Sequence, residues 1–168
     1  MKSAQEDEYL EFVAARAKAL YRSAYVLAAG DTHLAEDLVQ ETLSRVYVHW
    51  KRVAGADNPV AYAQTVLVRT FLSLRRRRST GERPLGQMPD SAVSGPDTAL
   101  RLALLDALGR LPPRDRAVLL LRYWEDRSIE ETARMLRLSS SAVRSQGTRA
   151  LGRLRESLGD SLSDLVPH

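Results

Sequence analysis

At 168 residues the chain can hold one ordinary domain or two small ones, and each half is long enough for a core of three or four helices. It has no cysteine, which excludes disulfides, thiol catalysis and cysteine-ligated zinc and suits a reducing cytoplasm. With 25 Lys plus Arg against 21 Asp plus Glu the net charge is +4, so a nucleic-acid partner has to be argued from where the cations sit.

The N-terminal stretch MKSAQEDEYLEF is acidic and has no apolar h-region. No later segment approaches about 18 uninterrupted apolar residues, so the expectation is a cytoplasmic protein without membrane insertion. Ser3 and Glu6 fit a capping box, and Leu10, Val13, Ala14, Ala17, Leu20, Tyr21 and Ala24 keep helical spacing until Gly30 ends the first helix. A second helix is predicted from Asp31 or Thr32 to about Trp50. Leu34, Leu38, Thr42, Val46 and Trp50 recur on one face, and Glu36, Asp37, Gln40 and Glu41 make the other acidic. Asn58-Pro59 is a strong helix entry, and the third helix carries Val60, Ala63, Leu67, Thr70, Phe71 and Leu74 before closing on Arg75 to Arg78.

Ser79 to Asp97 is rich in Gly, Pro, Ser and Asp and has almost no periodic apolar content, so it reads as a linker. Beyond it, Leu100, Leu104, Leu105, Leu108 and Leu111 predict a short amphipathic helix. Pro112-Pro113 interrupts it and starts another, carrying Val118, Leu119, Leu121 and Tyr123 to Trp124. Ser128 and Glu131 form a second capping box, with Ile129, Ala133 and Leu136 facing inward. Ser139 can cap a last helix held by Val143, Ala150, Leu151 and Leu154. The fold class expected is all-α: one helical domain over 1–78, a flexible linker over 79–98, and a second domain with a helix-turn-helix over 99–165, with no sensing domain after about Leu165.

The helix-turn-helix is the sharpest local signal. Arg137, Arg144, Arg149, Arg153 and Arg155 occur between 137 and 155 with no acidic residue among them. A recognition helix needs this, because long cations neutralise phosphates while neighbouring side chains reach base edges in the major groove. Arg144, Ser145, Thr148 and Arg149 are the candidates; a solvated basic helix in a bundle is the plainer reading. On the third helix Tyr62, Thr65, Arg69, Ser73 and Arg76 form a stripe of aromatic, polar and cationic groups, suited to single-stranded DNA or simply to solvent. The acidic face of the second helix suits a basic protein surface or ordinary solubility.

Enzyme readings fare badly. His33, His49 and His168 lack any metal-ligand spacing, there is no Gly-rich phosphate loop or G-x-S-x-G elbow, and Glu130 and Glu131 point apart on a helix. No cofactor, metal or catalytic group is expected.

Four stretches in order, AEDLVQETLSRVYVHW, NPVAYAQTVLVRTFLSLRRRR, LLDALGRLPPRDRAVLLLRYWED and SIEETARMLRLSSSAVRSQGTRALGRLR, resemble the conserved regions of small bacterial sigma factors of the extracytoplasmic-function class, within the sigma-70 family. VRSQ at Val143 to Gln146 and the tetra-arginine resemble a subgroup common in high-GC bacteria. The resemblance implies two partners, core RNA polymerase and promoter DNA, and admits an anti-sigma factor as a third. It implies polymerase binding by Asp37, Gln40 and Glu41. It implies −10 recognition and melting by the third helix (Tyr62, Arg69, Ser73, Arg76) with the preceding loop, Lys51 to Asp57. It implies −35 contacts by Arg144, Ser145, Thr148 and Arg149, with Arg153 near phosphates. Melting of this kind needs no covalent step, because capture of a flipped base offsets a few kcal/mol of unstacking.

Departures from the family pattern are Arg69 in place of a usual Asn, Phe71 where the subgroup often has Trp, and Ser141-Ala142 in place of Gly-Thr. Gly147 inside the recognition helix costs about 1 kcal/mol of helix propensity against Ala. The promoter sequence therefore does not transfer. A dimeric helix-turn-helix regulator of duplex DNA is the main competing expectation and would need symmetrical half-sites. A helical adaptor without DNA contact is the third.

Overall fold

The computed structural model describes the backbone of residues 2–78 and 96–165 and the side chains of 3–75 and 98–160. The expected linker lies outside the described residues from 79 to 95. Every regular element among the described residues is helical: α1 (Lys2–Leu27), α2 (Thr32–Val48), α3 (Trp50–Ala54), α4 (Pro59–Arg78), α5 (Pro96–Gly109), α6 (Pro113–Leu119), α7 (Ile129–Leu136) and α8 (Ser140–Leu165). A π-helical turn, Leu120–Trp124, continues α6.

In the first body, α1 gives way to α2 through Ala29 and Gly30, both with positive φ (53° and 89°). A Cβ on Gly30 would lie 3.1 Å from the Leu105 side chain of α5, so glycine suits both the left-handed backbone and the close approach. Asp31 then caps α2, its carboxylate accepting from Leu34 N–H at 3.1 Å, and Leu34, Ala35, Leu38, Thr42 and Val46 turn inward. Asn58 caps α4 as expected, its side-chain oxygen accepting from Ala61 N–H at 3.0 Å. Leu67, Val68 and Phe71 on α4 are fully buried, each stabilising the core by about 1.5–3 kcal/mol.

Several expectations are corrected. α1 begins at Lys2, so Ser3 sits inside the helix and Ser3–Glu6 does not cap it. The second helix stops at Val48, two residues short of Trp50, which opens the separate α3. Trp50 turns into an aromatic cluster with Tyr9 and Phe12. Lys51 to Ala54, expected as loop, are helical. Leu10, Leu100 and Leu104, counted as core, are exposed, because each falls on the outward side of its helix.

In the second body, α7 starts with the predicted capping box: Glu131 N–H donates to Ser128 Oγ, and Ser128 N–H donates to the Glu131 carboxylate. That backbone bond holds the Glu131 carboxyl below the usual carboxylate range. Arg137, left-handed at φ 58°, ends α7 as a C-cap. Ser139 Oγ accepts from Ala142 N–H at 3.1 Å and opens α8. Val118, Ala133 and Val143 lock α6, α7 and α8 into the helix-turn-helix.

The two bodies share one core. Leu20, Leu27, Leu67 and Phe71 of the first are continuous with Ala117, Leu120, Leu121 and Met135 of the second. Arg116 is buried at this junction, donating to Leu27 O at 2.8 Å with its guanidinium 5.2 Å from the Phe71 ring centroid. Burial, with Arg75 nearby, lowers its pKa to about 10, so it keeps its charge at neutral pH.

Candidate nucleic-acid and polymerase interfaces

Three faces stand out, one acidic and two basic. On α2, the residues that do not face the core form the acidic one: Glu36, Asp37 and Gln40 are exposed and Glu41 is half-buried. Glu41 pairs with Arg45 one turn on, at 2.8 Å. Asp37, Gln40 and Glu41 share a depression with Ser44 and with Leu74 of α4, so one apolar side chain lies among polar and acidic ones. A basic protein surface would complement that mixture.

On α8, Val143, Gly147 and Ala150 are buried at helical spacing, and this leaves Arg144, Ser145, Thr148 and Arg149 together on the exposed side. Thr148 Oγ1 donates to Arg144 O at 3.0 Å, and Arg149 Nε makes a long bond of 3.4 Å to Ser145 O. These are contacts within the helix, so the four side chains are available to DNA at the cost of weak local bonds. Arg153 is placed differently. It donates to Asp115 at 2.8 Å, and Gln146 Nε2 donates to the other oxygen of the same carboxylate at 3.1 Å. Asp115 is buried, so these two bonds fasten α8 to α6. Sequence reading passed over Asp115, since nothing in PPRDRAV foretells a partner 31 and 38 positions on.

On α4, Tyr62, Thr65, Arg69 and Ser73 are all half-buried. Tyr62 packs against the shared core, and Thr65 Oγ1 donates to Ala61 O at 2.9 Å. Arg69 reaches out of its own domain: Nε donates to Met135 O at 2.9 Å and Nη2 to Arg134 O at 3.2 Å, both at the C-terminal end of α7. Burial and then Arg137 lower its pKa. The side chain of Arg76 lies outside the described residues. Beside this stripe Glu125 accepts from Ser23 Oγ and, at 2.7 Å, from Gln64 Nε2, while Arg127 Nε donates to Gln64 Oε1 at 2.9 Å. Sequence reading missed Gln64, Glu125 and Arg127 as well.

The fold and faces define a bipartite helical DNA-reading protein: a helix-turn-helix with an exposed, cationic second helix, joined to a helical body that carries an acidic face. Residues 8–80 match the family described as Sigma-70 region 2, and residues 101–154 match Sigma-70, region 4. The RNA polymerase sigma-E factor of Streptomyces avermitilis is 41% identical over 153 residues, covering 90% of this chain and 85% of that protein. That of Streptomyces coelicolor is 39% identical over 153 residues, covering 90% and 86%. The ECF RNA polymerase sigma factor SigL of Mycobacterium tuberculosis is 32% identical over 149 residues, covering 84% of each. Among solved structures the sigma factor RpoE of Bartonella quintana, in complex with the anti-sigma factor NepR, superposes with a TM-score of 0.70 at 23% identity, covering 90% of this chain and 97% of that one.

The chain belongs to the sigma-70 family, as an RNA polymerase sigma factor of the ECF class. The region 2 match runs from within α1 to the end of α4, and the region 4 match from within α5 into α8. No described helix is long and apolar enough to cross a membrane.

Proposed function

We propose that this sigma factor brings core RNA polymerase to promoters in the cytoplasm, binding the −35 element as duplex and the −10 element as an opened strand, and that it works by binding alone, without covalent chemistry. The observation that carries this reading is the separation of charge between two exposed helix faces. The α8 face, with Arg144 and Arg149, holds no acid between 137 and 155, whereas the α2 face is acidic around Asp37. The first suits phosphates and base edges; the second suits a basic helix of polymerase. On α4, Tyr62, Arg69, Ser73 and Arg76 are assigned to the −10 strand, an aromatic and cationic mixture that fits unpaired bases. Arg153, tied to Asp115, serves −35 binding by holding the recognition helix in place and lies close enough to its exposed side to meet a phosphate.

An anti-sigma factor belongs to the same reading. A groove of about 710 Å³ between the two regions is lined by Tyr21, Tyr25, Leu104, Leu108 and Trp124 and bordered by Arg101. An amphipathic helix with acidic flanks is the shape and charge that would fill it.

The test is strand opening. Core polymerase, this protein and a promoter fragment are combined and permanganate-reactive thymines are mapped. Reactivity near the −10 element that needs both proteins is the expected result, and protection of a duplex site by the protein alone would favour the dimeric regulator instead. Asp37→Arg is expected to weaken core association by about 2–5 kcal/mol, read by co-migration with core on a sizing column.

A further inference from the structure

Resting on the −35 reading of α8, we propose that Asp115, buried on α6 beneath the recognition helix, is a positioning residue for DNA. Its carboxylate holds the Arg153 guanidinium at the edge of the recognition face, so that the same side chain is already oriented when it meets a backbone phosphate.

Helical geometry decides what this carboxylate can control. Gln146 and Arg153 stand about two turns apart on α8, roughly 10 Å along its axis, and fall within about 20° of each other around it. Val143 and Ala150 are buried on one side of this line, and Ser145 and Arg149 are exposed on the other, so Gln146 and Arg153 mark the border between core and DNA face. One carboxylate serves both residues: one oxygen accepts from Gln146 Nε2 at 3.1 Å and the other from Arg153 Nη1 at 2.8 Å. The stretch between them contains Gly147 and Gly152, each costing about 1 kcal/mol of helix propensity against Ala. Asp115 thus braces a part of α8 that its own propensity holds weakly.

Chemistry says why a buried acid belongs beside a DNA-facing cation. The side chains of Arg153 and Asp115 are 53% and 5% exposed, so the pair reaches from the interior of region 4 to its surface. A buried carboxylate is costly unless it is bonded, and here both oxygens are. A guanidinium carries its donors in one rigid plane, so a bond from Nη1 fixes the direction in which the others point. An arginine free in solvent gives up side-chain entropy of about 2 kcal/mol when it is immobilised; one already held has given up part of that on folding and binds at less cost. Asp115 also stands in the first turn of α6, where an acid is favourable in any helix, but that role needs neither Gln146 nor Arg153. The two readings of Arg153 then part. A plain phosphate contact asks only for a cation and is weakened by a neighbouring acid, whereas a held arginine is strengthened by it.

The test uses the full chain with core polymerase on the promoter fragment that it opens, beside the same fragment with a scrambled −35 element, and follows binding by fluorescence anisotropy. Asp115→Asn removes a negative charge, so electrostatics alone would tighten DNA binding. The expected result is the opposite: binding to the intact fragment about tenfold weaker, with helical content by circular dichroism and co-migration with core unchanged. Asp115→Glu, which restores the charge on a longer arm, should recover part of the loss. Arg153→Lys keeps a cation at an exposed position but loses the planar fork, and should weaken binding severalfold; adding Asp115→Asn to it should change little further. Asp115→Asn that binds as tightly as the unmutated chain or more tightly, or lysine that serves as well as arginine, overturns the positioning role and leaves the −35 reading of α8 standing. Should Asp115→Asn lose helical content, the Arg153→Lys comparison decides. An unmutated holoenzyme that does not distinguish the intact from the scrambled fragment overturns the −35 reading itself, and the positioning role with it.

Discussion

The two helix faces proposed to meet DNA are prepared to different degrees. α8 presents Arg144, Ser145, Thr148 and Arg149 to solvent, whereas the α4 stripe is half-buried and its Arg69 is bonded to the other region. Duplex DNA can be met by a rigid, exposed helix as it stands. An opened strand exists only after polymerase has engaged the promoter, so a face that reads it has no use until then.

The comparison rests on region 2 and region 4 sharing one core, and Phe71 is where that can be broken hardest. It is fully buried beneath Arg116. Phe71→Ala should cost about 3–5 kcal/mol through lost transfer and an unfilled cavity, read by urea denaturation. The two tryptophans divide the signal, Trp50 in region 2 and Trp124 in region 4. In the unmutated chain both should report one transition; two separate midpoints would mean that the regions melt independently.

Arg116→Met probes the junction more narrowly. It removes a charge-assisted bond to Leu27 O and the contact with the Phe71 ring but leaves comparable apolar volume. A loss of about 1–3 kcal/mol is expected, with the Trp124 transition moving below that of Trp50 as region 4 loosens from region 2.

These junction residues also mark how far the amino-acid sequence could be read. Local signals carried over well. Asn58, Ser128 with Glu131, and Ser139 cap where their spacing says they should, because a cap is settled within four residues. The exposed α8 face and the acidic α2 face followed from helical period alone. What could not be read was set by tertiary partners. Arg116 and Asp115 look like ordinary charged residues after a proline pair, yet both are buried, and their partners are far along the chain. The π-helical turn leaves no pattern in LLRYW. Leu100 and Leu104 fit the core period but are exposed, and Leu104 borders the groove between regions and not a filled interior.

On the α8 side, the comparison is sharpened by Arg144→Ala. If this exposed cation reads duplex DNA as proposed, it should be removable without touching the fold, so −35-dependent binding should fall by about 1–3 kcal/mol while core affinity and melting temperature stay as they were. Promoters with intact and scrambled −35 elements, compared in an open-complex assay, give the measurement. Equal losses on both templates would assign Arg144 to phosphate contact alone and move base reading to Ser145 or Arg149.

Gly147 gives the smallest effect. It lies in the interior of the recognition helix, buried against α6, and a Cβ there would meet Val118 Cγ1 at 3.7 Å, an ordinary van der Waals contact. Nothing steric requires glycine at that point. Gly147→Ala should therefore stabilise region 4 by about 0.5–1 kcal/mol, through reduced freedom of the unfolded chain and better helix propensity, seen as a raised midpoint in the Trp124 signal. The same change stiffens the backbone immediately before Thr148 and Arg149. If −35 affinity is unchanged while stability rises, α8 is used as a rigid rod, as its exposed geometry implies. If stability rises and affinity falls, the helix bends into the groove at Gly147, and the contrast with α4 becomes one between two faces that both change shape to meet DNA.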